Sequence, residues 1–302
     1  AGPIERAERL LPQIRQPRKI NADHLAGGLV LILIGLFKKV VIADNAGLTV
    51  DRIFAAPEEQ PSLVLVNALL LFALQIYCDF CGYSNIARGA SKLMGIELME
   101  NFKTPYLSRN VTEFWRRWHI SLSEWLRDYL YVPLGGNRAG RLKTNRNLIA
   151  TMLLGGLWHG ASWTFVIWGG LHGLYLMTHK LWRNLRPAAS AHWLSKLSAT
   201  TLTFSAVTLA WLFFRADSLS DAVAYLTGIL SFQGDVEFHQ LRKLAVLSLV
   251  LLPLEWVQYR GNGNVLAIRD WPVAVRGVIY LAMLLGVVLL SSQDTPFIYF
   301  QF

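Results

Sequence analysis

NLIATMLLGGLWHGASWTFVIWGGLHGLYLMT, residues Asn147 to Thr178, is apolar for 32 residues, but WHGAS interrupts its middle. One spanning helix needs about 17–25 largely apolar residues, and two need about 40 plus a turn. The stretch therefore reads either as one very long tilted span or as a re-entrant hairpin with WHGAS near its tip. His159 sits at the interruption. Imidazole titrates near neutral pH, so its burial among Leu, Trp and Phe is unfavourable unless something satisfies it.

Flanking charge selects between the two readings. The segment from Tyr83 to Arg146 carries eleven Lys and Arg residues, and the segment after Thr178 carries Lys180, Arg183, Arg186 and Lys196 with no acid among them. The segment Asp44 to Pro61 has only Arg52 against Asp44, Asp51, Glu58 and Glu59. Basic loops favour the cytoplasm. With basic loops on both flanks, the chain between them enters and returns, which favours the hairpin. Irregular backbone at membrane depth is tolerated only where protein or a water-filled cavity surrounds it, so His159 is expected to line a cavity.

Composition agrees with a membrane setting. Of 302 residues, 53% are hydrophobic and 16% charged, against about 25% charged in soluble domains. The 11 Trp, 10 Tyr and 15 Phe suit interfacial aromatic belts. The net charge of +9 is distributed between apolar runs, a membrane-topology pattern rather than a nucleic-acid face. Further spanning candidates are Leu25 to Ala43, Leu63 to Gly82, Ser198 to Phe214, Lys243 to Val257 and Val273 to Leu290. Within the first, Lys38 and Lys39 must snorkel or face protein. The predicted fold is all-α and polytopic, with a re-entrant hairpin.

The long basic segment predicts an interfacial amphipathic helix. Phe114, Trp115, Trp118, Leu122, Trp125, Leu126, Tyr129 and Leu130 recur at helical spacing, with charged residues on the other face. Asn110 followed by Glu113 is a start signal; Pro133, Gly135 and Gly136 are stop signals. On such a helix His119 points with the apolar face.

Singly, His119 or His159 reads as a core histidine satisfied by a backbone carbonyl. Two of them on consecutive elements, both approaching the membrane interior, form a candidate site. His172 reads as packing, while His24, His179, His192 and His239 sit in or beside polar loops. Asn67, Gln75 and Asp79 share one face of the second span and must face protein or water; Asp79 reads as a tie to a neighbouring helix. Cys78 and Cys81 form neither a disulfide framework nor a metal site, and no metal is expected. The chain has no G-x-S-x-G elbow, P-loop or H-E-x-x-H helix.

The stretch YCDFCGYSNIARGASKLMGIELMENFKTPYLSRNVTEFWRRWHISLSEWLRDYLYVPLGGNR, together with LLGGLWHGASWTFVIWGGLHG, AWLFFRA and the terminal PFIYFQF, resembles the membrane-bound O-acyltransferase family. The likeness is strongest to its bacterial alginate O-acetyltransferase branch. Cys78, Cys81 and Asn85 depart from that branch, which more often has Phe, Ser and Asp there. Family members are longer, so the chain is expected to be the C-terminal part of such a protein, one transmembrane O-acyltransferase domain over residues 1–302.

The resemblance implies transfer of an acyl group from a cytoplasmic thioester, such as acetyl-coenzyme A, across the bacterial inner membrane to a hydroxyl on the far side. It places the catalytic histidine at His159 and a second functional histidine at His119. It also implies extracytoplasmic acetylation proteins as partners and an exported polysaccharide such as alginate as final acceptor, with no bound cofactor. On this reading His159 is the general base and His119 positions the donor. Arg116 and Arg117 are candidate contacts for an anionic donor, or for lipid headgroups. Gly155, Gly156 and Gly160 allow either substrate approach or close helix packing. The competing readings are a non-enzymatic polysaccharide export subunit and a scaffold.

Overall fold

The apolar runs become helices, and most extend beyond the runs that announce them. The computed structural model describes residues 2–138, 140–185, 192–235 and 238–291. A short helix, α1 (Ala7–Arg15), precedes α2 (Ala22–Leu36), which continues through a π-helical segment, Phe37–Ala43, into α3 (Asp44–Phe54). Then follow α4 (Ser62–Leu93), α5 (Val111–Trp115) and α6 (Ile120–Leu126), the last prolonged by a π-helical turn, Arg127–Tyr131. The hairpin is α7 (Gly140–His159) and α8 (Trp163–Leu185). The remainder is α9 (Trp193–Arg215), α10 (Leu219–Leu230), α11 (Phe238–Arg260) and α12 (Val273–Leu289). Among the described residues there is no strand.

Among the described residues, three stretches are long and apolar enough to cross a membrane: Ala22–Phe54, Ser62–Leu93 and Trp193–Arg215. They contain the first three spanning candidates, while α11 and α12 carry the last two. The fold is all-α, as expected. Three local expectations need correction. Asp44 to Phe54 is helix rather than loop, because Asp44 becomes a partner of Lys39 one turn earlier. Tyr83 to Leu93 likewise continues α4 instead of opening the basic loop. The interfacial helix is not continuous; it breaks between Trp115 and Ile120.

The chain divides into two compact units. The first comprises Ala1–Asp51, Leu71–Thr104 and Glu237–Phe302. In it, α2 crosses α4 at two glycine pairs. A Cβ on Gly28 would meet the Gly89 carbonyl at 2.9 Å, and one on Gly35 would meet the Gly82 carbonyl at 2.6 Å. Small residues seven apart on both helices thus bring the backbones together, a packing mode suited to lipid, where apolar burial alone drives little association. Lys38 and Lys39 face protein. Lys38 Nζ donates to Glu255 Oε1 at 2.9 Å and to the Tyr77 hydroxyl at 3.3 Å, while that hydroxyl donates to Glu255 at 2.7 Å. Lys39 Nζ lies 2.7 Å from Asp44 and 2.6 Å from Asp79. Asp79 is therefore a tie between helices, as its sequence position suggests. Cys78 and Cys81 are buried free thiols.

The second unit comprises Arg52–Leu70 and Pro105–Val236 and holds both candidate histidines. Its centre is the α7–α8 hairpin, closed by the turn Gly160 to Ser162. A Cβ on Gly156 would run into the Phe165 carbonyl, and one on Gly169 into the Met152 carbonyl, so the two helices touch backbone to backbone. For Gly156 the helix-packing reading holds. Asn147 anchors the base of α7: its side-chain amide donates to the carbonyls of Leu134 (2.9 Å) and Gly136 (3.1 Å), capturing the turn after the interfacial segment.

Candidate functional site

His119 owes its place to a break in the helix. Asn110 caps α5 as expected, its side-chain oxygen accepting from the Glu113 N–H at 2.8 Å. After Trp115 the chain turns, and His119 adopts φ 40°, ψ 58°, the left-handed conformation, as N-cap of α6. A non-glycine residue there is disfavoured by roughly 1–2 kcal/mol, and such outliers concentrate at functional sites. The turn buries both Trp118 and the imidazole, each 2% exposed. His119 Nδ1 lies 3.4 Å from Ser121 Oγ. Burial pushes its pKa well below the ordinary histidine value, and the nearby His159 lowers it further. The sequence-predicted burial of His119 is therefore correct, although its premise of a continuous helix is not.

His159 ends α7, beside the turn at the hairpin tip. It is half-buried within an aromatic clasp: ring centroids lie 5.0 Å from Trp158, 5.1 Å from Trp168, 5.0 Å from Phe214 and 6.2 Å from Phe165. The turn is held by Ser162, whose hydroxyl accepts from the Thr164 N–H at 3.3 Å at the start of α8. The structure thus brings His119 and His159 into one unit, near enough for electrostatic influence. The arginines separate: Arg117 pairs with Glu113 at 2.7 Å, whereas Arg116 is exposed.

His172, which reads as packing in the sequence, has more specific surroundings. It is fully buried, and its Nδ1 accepts from the Trp115 indole N–H at 3.2 Å. Its ring lies 4.9 Å from Trp168 and 6.3 Å from Trp211. The i, i+4 spacing of Trp168 and His172, in the helix that follows LWHG, is the available signal. Trp211 and Phe214 come from α9, where nothing local announces a link to the hairpin. The other histidines have local duties. His24 completes the capping box of α2, His192 caps α9, and His179 Nδ1 lies 2.9 Å from Thr112 Oγ1. The side chain of His239 and the motif PFIYFQF lie outside the described residues. Among those described, no group of three or more His, Cys, Asp or Glu side chains is placed to hold a metal ion.

The unit thus holds one buried histidine at a helix break and one half-buried histidine at a hairpin tip, the second clasped by aromatic rings. The family model for membrane-bound O-acyltransferases matches residues 1–215. The chain belongs to the membrane-bound O-acyltransferase family. It is similar to a Pseudomonas putida protein named "probable alginate O-acetylase AlgI", 38% identical over all of this chain and 66% of the relative. It is also similar to a Helicobacter pylori peptidoglycan O-acetyltransferase, 42% identical over 78% of this chain and 45% of the relative. A Streptococcus thermophilus teichoic acid D-alanyltransferase is 28% identical over 71% of this chain and 58% of the relative. The chain thus spans from about two thirds to under half the length of these relatives. Their names share acyl transfer and differ in the polymer named.

Proposed function

We propose that this chain carries the catalytic core of a membrane O-acyltransferase that moves an acetyl group from a thioester donor to a hydroxyl destined for an exported polysaccharide. The observation that carries this reading is the placement of His119 and His159 in one unit, each at a helix terminus, the first buried and the second half-buried within an aromatic clasp. In the reaction His159 takes the acceptor hydroxyl proton as the oxygen attacks the thioester carbonyl carbon. The new C–O bond forms, the C–S bond breaks, and the proton passes to the departing thiolate. Positioned proton transfer of this kind contributes about 10²–10⁴ in rate. His119, neutral in its burial, positions the donor.

The donor is read as acetyl-coenzyme A or another acetyl thioester approaching from the cytoplasm, with Arg116 offering its exposed charge. The setting is a multi-pass protein of the bacterial inner membrane. Extracytoplasmic acetylation proteins are the expected partners, and alginate or a related polymer the final acceptor; the named relatives support this class of acceptor. The test compares wild type with His159→Ala in the host at matched membrane levels, measuring ester-linked acetyl on the exported polymer and total polymer. Loss of acetyl with unchanged polymer is expected. Intact acetylation in the variant would overturn the catalytic assignment and favour an export subunit or scaffold.

A further inference from the structure

Three buried ring nitrogens in the second unit lack a hydrogen-bond partner among the described residues: Nε1 of Trp168, Nε1 of Trp211 and Nε2 of His172. All three are donors. An indole N–H only donates, so the Trp115 indole bonded to His172 Nδ1 forces that nitrogen to accept and leaves the proton of the neutral ring on Nε2. The rings form one cluster, with centroids 4.9 Å apart for Trp168–His172, 5.8 Å for Trp168–Trp211 and 6.3 Å for His172–Trp211. The Trp168 ring is also 5.1 Å from that of His159.

Buried polar groups are ordinarily paired. Each unsatisfied donor is unfavourable by about 1–3 kcal/mol, so three in one cluster call for an acceptor beyond the described residues. Water suits the cluster poorly, because it must donate as well as accept and needs two to four polar partners. The surroundings are rings: Phe114 at 6.0 Å from His172, Trp118 at 4.9 Å from Trp211 and Phe214 at 5.3 Å from Trp168. A carbonyl oxygen, which only accepts, matches a set of donors with apolar walls.

We propose that Trp168, Trp211 and His172 receive the carbonyl oxygen of the acyl donor beside His159. This inference rests on the acyl-transfer reading above. As the acceptor oxygen attacks, the carbonyl π pair moves onto that oxygen, and the three N–H groups hold the developing charge. The pair returns to carbon as the C–S bond breaks. Donors placed where charge develops, in a site without water, give large rate effects; removing one such donor lowers kcat by about 10²–10³ in the best-studied case.

The test uses the intact protein with Trp168→Phe and Trp211→Phe, which keep a ring and delete the N–H. Trp182→Phe, on the exposed part of α8, serves as control. Acetyl transfer, thermal midpoint without substrate, and binding of two thioethers of coenzyme A are measured. One thioether, the S-acetonyl compound, keeps a carbonyl; the other, S-propyl, lacks it. Transfer per folded molecule is expected to fall at least tenfold in both variants. The midpoint is expected to fall too, because the smaller ring leaves a cavity at a fully buried position, so transfer is normalised to folded protein. Wild type and control are expected to prefer the acetonyl probe, and the two variants to lose that preference. Transfer at the full rate in both variants, or an undiminished carbonyl preference, overturns the carbonyl site alone. A wild type that neither transfers acetyl nor binds either probe overturns the acyltransferase reading, and this site with it.

Discussion

Two clusters, one in each unit, bury polar groups in opposite ways. Around Lys38 and Lys39 each buried cation has its carboxylate: Glu255 for the first, Asp44 and Asp79 for the second. Around Trp168 and His172, N–H groups are equally buried and lack acceptors among the described residues. A paired buried charge ties helices together, and breaking the pair is strongly unfavourable. An unpaired buried donor is unfavourable to the fold, and its presence calls for an explanation such as a catalytic role or a bound group. The contrast separates a fastener from a receptacle, although both are polar islands in apolar surroundings.

Crossing the two readouts is the strongest way to break this contrast. His159→Ala should lower acetyl transfer by about 10²–10⁴ with little change in thermal midpoint. Lys39→Met, which strands two carboxylates, should lose about 3–5 kcal/mol of stability while activity per folded molecule stays at the wild-type level. Measuring both quantities on both variants decides the matter. Large stability loss in His159→Ala with normal specific activity would make the histidine another fastener.

A smaller effect sharpens the geometry of the hairpin. Gly169→Ala should push α8 off the Met152 carbonyl, losing about 1–3 kcal/mol and displacing His159 at the tip. Gly170→Ala, whose new Cβ would meet only the Leu153 side chain at 3.6 Å, should be tolerated. Thermal midpoint and transfer rate in the pair report whether close backbone approach is what sets the site. Equal behaviour of the two variants would contradict it.

Hydropathy made the helices legible, since each spanning run must satisfy its backbone internally. It failed at their ends. Asp44 and Asp79 look like loop and stripe residues until Lys39 is seen between them. The partner of Lys38 lies 217 positions away, beyond any local pattern. His159 was legible because a polar ring interrupts an apolar run. His119 was found by helical phase, yet that phase cannot register one residue in a left-handed conformation. The donors Trp168 and Trp211 look like ordinary apolar residues, because an indole nitrogen leaves no mark in a hydrophobic pattern.

The conformation of His119 yields a subtler pair of tests. His119→Gly and His119→Ala both remove the imidazole, but glycine adopts positive φ without strain. The glycine variant should therefore be about 1 kcal/mol more stable than the alanine variant, with transfer reduced alike in both. Equal stability would show that the turn is not strained. The same residue predicts a pH effect. Burial holds its folded-state pKa below the ordinary 6.5, so the unfolded chain binds the proton more readily. Its contribution to stability is full above pH 6.5 and is lost as pH falls toward the depressed value. The thermal midpoint of wild type should thus drop more between pH 7 and pH 5 than that of His119→Gln.

The smallest expected effects separate the neighbouring arginines. Arg117 is held by Glu113 in an i, i+4 pair, which is worth about 0.3–0.5 kcal/mol. Arg117→Ala should therefore cause a slight loss of stability and little else. Arg116 is exposed and has its charge available to an anionic donor. Arg116→Ala should raise KM for the donor a few-fold, about 1 kcal/mol or less, without altering kcat. Screening weakens exposed charge over about 8 Å at physiological ionic strength, so added salt should raise the wild-type KM toward that of the variant. An Arg116→Ala enzyme with wild-type KM at low salt would assign that charge to the membrane surface, leaving donor recognition to groups inside the site.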